Sequence, residues 1–156
     1  MGEKILVAFD DSENAMRAVG YIARTLTKEH RIMLFSVIPD TAALCDMNSP
    51  SLTSYFVEKQ AIFCGLEDQK KELIDEAMHK AKELLLTAGF EEKNITLKIQ
   101  TKKKGVVRDI IEEARSGHTT IVLGRRGLSG VKEFILGSVS QKVLHLARDI
   151  SVIVVE

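Results

Sequence analysis

The chain has 156 residues carrying 22 basic and 22 acidic side chains, for a formal net charge of zero. That balance argues against a nucleic-acid binder, which needs surplus Lys and Arg against phosphate. Its hydrophobic content of 45% excludes wholesale disorder. No apolar run nears the roughly 18 residues of a membrane helix. The first run, Ile5 to Phe9, stops at Asp10 and Asp11, too short for a signal peptide. A single cytoplasmic domain with neither membrane nor nucleic-acid partner is the expectation, spanning residues 1–156.

Two periods alternate along the chain. Ile5-Leu6-Val7-Ala8-Phe9 is a continuous apolar run, the pattern of a strand covered on both faces. From Ser12, a suitable N-cap, Ala15, Ala18, Val19, Ile22, Ala23 and Leu26 recur at helical spacing. A second strand runs from Ile32 to Ile38 and ends at Pro39. An irregular segment follows at about 39–64, rich in Ser, Thr, Asp and Asn, and long enough to suggest a functional loop. Its tail, with Phe56, Val57, Ile62 and Phe63, has some helical character.

Residues 66–88 give the strongest helical signal, a wide stripe including Leu73, Ala77, Ala81 and Leu84, with Gly89 as a natural C-cap. Ile95, Leu97 and Ile99 alternate with polar residues, as in a strand at a sheet edge. Val106 to Ala114 reads as a helix closed near Gly117, Thr119 to Leu123 as a strand, 138–148 as a helix and Val152 to Val155 as a last strand. Strict alternation of strand and helix predicts an α/β fold: one doubly wound, mainly parallel five-stranded sheet with helices on both faces. Ligands of such sheets bind beyond the carboxyl ends of the strands, where the strand order reverses.

The fourth strand ends in Gly124-Arg125-Arg126-Gly127-Leu128-Ser129-Gly130, and the next helix opens at Gly137-Ser138-Val139-Ser140. Glycine lets backbone approach an anion closely, and a helix start offers unpaired N–H groups and a positive dipole end. Hydroxyls of Ser138 and Ser140 add donors, so the arrangement suits a di- or triphosphate. The competing interpretation is structural: glycines that permit turns, and Ser138 as a cap.

The spacing Gly124-x2-Gly127-x9-Gly137-Ser138, the opening Leu6-Val7-Ala8-Phe9-Asp10-Asp11-Ser12 and the run Gly137-Ser138-Val139-Ser140 resemble the universal stress protein family, in its ATP-binding subgroup. Arg148-Asp149-Ile150-Ser151 departs from the proline-containing approach to the last strand common in that family. The resemblance implies strand order 3-2-1-4-5 and ATP, or AMP, held between the ends of the first and fourth strands. Adenine would rest near Ala8, Phe9 and Val37, and Asp10 would meet the ribose or a phosphate-bound Mg²⁺. Leu123, Gly124, Arg126 and Gly127 would line ribose and phosphates, with Gly137, Ser138, Val139 and Ser140 as the cradle. Arg125 or Arg126 would neutralise phosphate charge. For Asp10 the alternative is a local partner of the helix start at Ser12. The resemblance also implies a homodimer through the C-terminal strand.

Rival folds fail on residues. A Rossmann turn or a P-loop needs glycines where Asp10-Asp11-Ser12-Glu13-Asn14 stands. An ATP pyrophosphatase would carry a Ser-Gly-Gly run there. A response-regulator receiver would place an acceptor Asp where Gln100, Thr101 and Lys102-Lys103-Lys104 lie, a run that reads as a solvated turn. No nucleophile–base set is legible, so at most slow Mg²⁺-dependent ATP hydrolysis is expected. The functional expectation is a nucleotide-dependent stress-response or signalling regulator whose segment 39–64 changes order with ligand, with a dimeric interaction module of the same family as alternative. No metal site is expected: His30, His79, His118 and His145 are scattered, and Cys45 and Cys64 read as ordinary reduced thiols, redox sensitivity being the lesser alternative.

Overall fold

In the computed structural model residues 2–125 and 136–156 are described. Strands β1 (Lys4–Ala8), β2 (Arg31–Ile38), β3 (Ile95–Thr101), β4 (Thr120–Gly124) and β5 (Ser151–Val155) form one sheet in the order β3-β2-β1-β4-β5. Every pairing is parallel, with Val7 opposite Leu34 on one side and Val122 on the other. The expected order and helical cover are both present. β1 is the central strand, and its side chains alternate between two apolar layers. Ile5, Val7 and Phe9 join one layer with helix α1 (Glu13–Thr25) and the C-terminal part of α3 (Ser54–Thr87). Leu6 joins the other with α4 (Val106–Arg115) and α5 (Ser138–Leu146). Leu6 and Phe35 are completely buried, and each such side chain contributes about 2–3 kcal/mol by leaving water.

Local chemistry sets the helix ends. Ser12 caps α1, its Oγ accepting the Ala15 N–H at 3.1 Å, a contact that stabilises a helix by about 1 kcal/mol. Thr53 caps α3 in the same way through Phe56. At the other end of α3, Gly89 takes φ +107°, and the N–H groups of Gly89 and Phe90 reach back to the carbonyls of Leu86 and Leu85 at 3.0 and 3.1 Å. That is the double closure which favours glycine. β3 and β5 are the sheet edges. Asp149 turns the chain into β5 with φ +64°, a left-handed conformation that aspartate tolerates better than most residues.

Three expectations are corrected around the irregular segment. Helix α3 begins at Ser54, twelve residues before the predicted start, because Thr53 supplies a cap that the composition of the region obscures. A short helix, α2 (Ala42–Cys45), lies within the remainder. Cys45 and Cys64 are not reduced thiols; they form a disulfide joining α2 to α3. The pairing depends on α3 extending back to Cys64, so an irregular chain there gives no reason to expect it. Among the described residues no helix is long and apolar enough to cross a membrane.

Candidate functional site

A cavity of about 320 Å³ opens at the carboxyl ends of β1, β2 and β4, a size within the usual range for small-molecule sites. It lies where the strand order reverses across β1 and β4. One wall is apolar, built by Ala8, Phe35, Val37 and Leu123 from the strands with Val106 and Ile110 of α4. The polar lining comes from Asp10 and Ser12 after β1 and from Gly137, Ser138 and Ser140 at the start of α5. Phe9, Gly124 and Val139 complete the set of expected lining residues, ten of which meet here. The other two, Arg126 and Gly127, lie outside the described residues.

The polar lining follows from how two helices begin. At β1 the chain turns through Asp10, whose Oδ1 accepts the Ser12 N–H at 2.9 Å, an Asx turn that leads into the Ser12 cap. The local alternative for Asp10 therefore holds, yet it occupies only one carboxylate oxygen. Oδ2 has no hydrogen bond among the described residues, and the residue still lines the cavity. In α5 the first helical bond runs from the Gln141 N–H to the Gly137 carbonyl at 2.9 Å. The amides of Ser138, Val139 and Ser140 precede that bond and have no acceptor among the described residues. Such a helix start carries partial positive charge.

Two side-chain roles differ from expectation. The Ser140 hydroxyl donates to the Gly124 carbonyl at 2.7 Å and is not a free donor. Gly124 is glycine for a packing reason: a Cβ there would stand 2.7 Å from the Asn14 backbone at the start of α1. Its lack of a side chain serves the approach of helix to strand, and an anion is not needed to explain it. Arg125 does not line the cavity, since its guanidinium pairs with Glu156 at 2.6 Å.

Comparison with known proteins gives the fold a family. The universal stress protein family model matches residues 1–156. The chain belongs to that family. Universal stress protein Sll1388 of Synechocystis sp. is 33% identical over 146 residues, covering 91% of this chain and 90% of its own length. The solved structure of hypothetical protein MJ0577 superposes with a TM-score of 0.69 at 25% identity, covering 99% of this chain and 96% of that one. A universal stress protein solved in complex with cAMP shares the fold at 16% identity and a TM-score of 0.64, covering 99% and 97%.

Within this universal stress protein, several lining residues escape a reading of the sequence. Ser36 is a buried hydroxyl in the Ile32–Ile38 run of β2, which is otherwise apolar; it is 3% exposed and near the carboxyl end of the strand. A lone polar residue at that position was the available signal. Ile74, Val106 and Ile110 sit within helical stripes indistinguishable from core, and only packing shows that they border a cavity. Among the described residues no three His, Cys, Asp or Glu side chains converge as a metal site.

Proposed function

We propose that this universal stress protein binds an adenine nucleotide, ATP or AMP, in the cavity between β1 and β4 and acts in the cytoplasm as a nucleotide-dependent stress-response or signalling regulator. The observation that carries this reading is the pairing of an apolar slot with a polar lining built from the α5 amide cradle and the Asp10 carboxylate. A purine suits the wall of Val37, Leu123 and Ala8. Phosphate suits the amides of Ser138, Val139 and Ser140. Asp10 Oδ2 would meet a ribose hydroxyl or a Mg²⁺ carried by the phosphates, hard oxygen being the ligand that Mg²⁺ prefers. Arg126 and Gly127 complete the phosphate side by family resemblance. The family member solved with cAMP supports a nucleotide as the ligand class. At most the site supports slow hydrolysis, by positioning and Mg²⁺ alone.

The same reading includes a homodimer through β5. That strand pairs with β4 on one side only, and Val152, Ile153, Val154 and Val155 are half-buried along it, an edge suited to pairing with a second copy. Calorimetric titration with ATP, AMP and cAMP, each with and without Mg²⁺, tests the ligand, and light scattering after gel filtration tests the dimer. Saturable binding of an adenine nucleotide by a dimer is expected. Absence of heat with all three nucleotides would refute the nucleotide reading and leave an interaction module.

A further inference from the structure

The segment between β2 and the buried part of α3 has almost nothing to hold it. From Val37 to Ala77 no residue is fully buried, and the first buried side chain of α3 is Met78. Without a core, a stretch of this length opens locally at low cost. Two ties hold α2 against α3. One is a pair of hydrogen bonds from the Gln60 amide nitrogen to the carbonyls of Leu44 and Met47, at 2.5 and 3.0 Å. The other is the Cys45–Cys64 disulfide, which closes a span of 19 residues. Both cysteines are half-buried and neither is enclosed in the core, and they are the only two in the chain.

The tied segment is continuous with the cavity at both ends. It leaves β2 after Ile38, the neighbour of the cavity residue Val37, and returns as α3, which places Ile74 in the cavity wall. Ile74 follows Cys64 by ten residues, about 15 Å along the helix. The conformation of 39–64 and the shape of the pocket are thus mechanically linked through β2 and α3. Disulfides in reducing compartments are usually transient or redox-sensing, and accessible ones are the labile class.

We propose that Cys45 and Cys64 are a reversible thiol–disulfide switch, exchanging with small-molecule thiols and disulfides, which sets the order of 39–64 and with it nucleotide affinity. The affinity half rests on the nucleotide reading above. In the oxidising direction one protein thiolate attacks a sulfur of a small disulfide such as glutathione disulfide. A mixed disulfide forms and one small thiol leaves. The second protein thiolate then attacks the mixed disulfide at the protein sulfur, releasing a second small thiol. Two electrons pass from the protein pair to the small disulfide, and the two thiol protons end on the departing thiols. A small thiol in excess runs the same steps backward.

The test uses the full chain in three forms: oxidised with glutathione disulfide, reduced with dithiothreitol, and carrying Cys45→Ser with Cys64→Ser. Alkylation with mass detection reports the thiol state, amide hydrogen exchange reports order, and calorimetry reports ATP affinity. Reduction is expected to raise exchange across 40–60 by about tenfold or more, with β1 and β4 unchanged. It is expected to weaken ATP binding by about threefold or more. The serine variant should match the reduced form and ignore dithiothreitol. Failure of glutathione disulfide to re-form the bond, equal exchange in the two states, or equal ATP affinity in both would each overturn the switch. ATP binding in neither state would refute the nucleotide reading instead, and the exchange difference would then decide the switch by itself.

Discussion

The Ser140 hydroxyl donates to the Gly124 carbonyl at 2.7 Å, pinning the first turn of α5 to the end of β4. The bond fixes the direction in which the α5 amides point, so it acts on the cavity without a contact to ligand. Ser140→Ala is expected to lower stability by about 1 kcal/mol and to weaken ATP binding as the helix start loosens. Denaturant unfolding and calorimetry on the same preparation check both effects.

Gly124, at the end of β4, lies close against the backbone of Asn14 in α1. Gly124→Ala forces a Cβ to within 2.7 Å of the Asn14 backbone, and backbone gives way less readily than a side chain tip. A loss of about 1–3 kcal/mol is expected from overpacking, read as a lowered midpoint in thermal unfolding.

Asp10 has two separable duties. Asp10→Asn keeps an oxygen to accept the Ser12 N–H and removes only the charge, so stability should change by less than about 0.5 kcal/mol. Its Mg²⁺-dependent gain in ATP affinity should fall. Asp10→Ala should lose both, with about 1 kcal/mol of stability going with the Asx turn. A titration of each variant with and without Mg²⁺ separates the two duties.

Stability should fall with acidity in two windows. Burial pushes the His118 imidazole below its ordinary value of 6.5, outweighing the Glu113 carbonyl and carboxylate that draw it upward. Because the unfolded chain then binds the proton more readily, the His118 contribution is full above 6.5 and is lost as pH falls through the lowered folded value. Burial also raises the Asp109 carboxyl, but the N–H groups of Lys103 and Lys104, at 2.7 and 3.0 Å, reverse that and hold it below 3.8. Its contribution is present above 3.8 and disappears below, as the folded carboxylate takes its proton. Denaturation followed from pH 8 to pH 2 should show both limbs, with the upper one flattened in His118→Phe and the lower one in Asp109→Asn.

Helix α3 has two apolar faces of unlike consequence. Met78 and Leu85 are buried, whereas Ile62, Leu66 and Leu73 are exposed at spacings of four and seven. Met78→Ala should cost about 2–5 kcal/mol, while Leu66→Ser should stay within about 0.5 kcal/mol. Thermal melts of the two variants check the contrast.

The same helix shows why some features were legible and others were not. β1 is readable because a central parallel strand is apolar throughout its buried length, Ile5 to Ala8 after Lys4, and α1 because a serine cap precedes a clean stripe. Ten expected site residues converge because strand ends and helix starts carry the chemistry in this fold, and those positions follow from element boundaries. In 54–64 exposed apolar residues have no core to report, so periodicity there carries little information about helix. The disulfide is illegible for the same reason, since sequence gives no distance between Cys45 and Cys64 until the helix is known. From spacing alone Ser140 reads as a donor to ligand, because spacing does not reveal that the Gly124 carbonyl lies within reach.

Mapping amide chemical shifts of the isotopically labelled protein during ATP titration tests the account at its centre. Saturable shifts grouped on Ser138, Val139, Ser140, Asp10 and Val37, with the N-terminal strand ends Lys4 and Thr120 unmoved, are the predicted result. Shifts scattered over the surface, grouped elsewhere, or absent at millimolar ATP would contradict it.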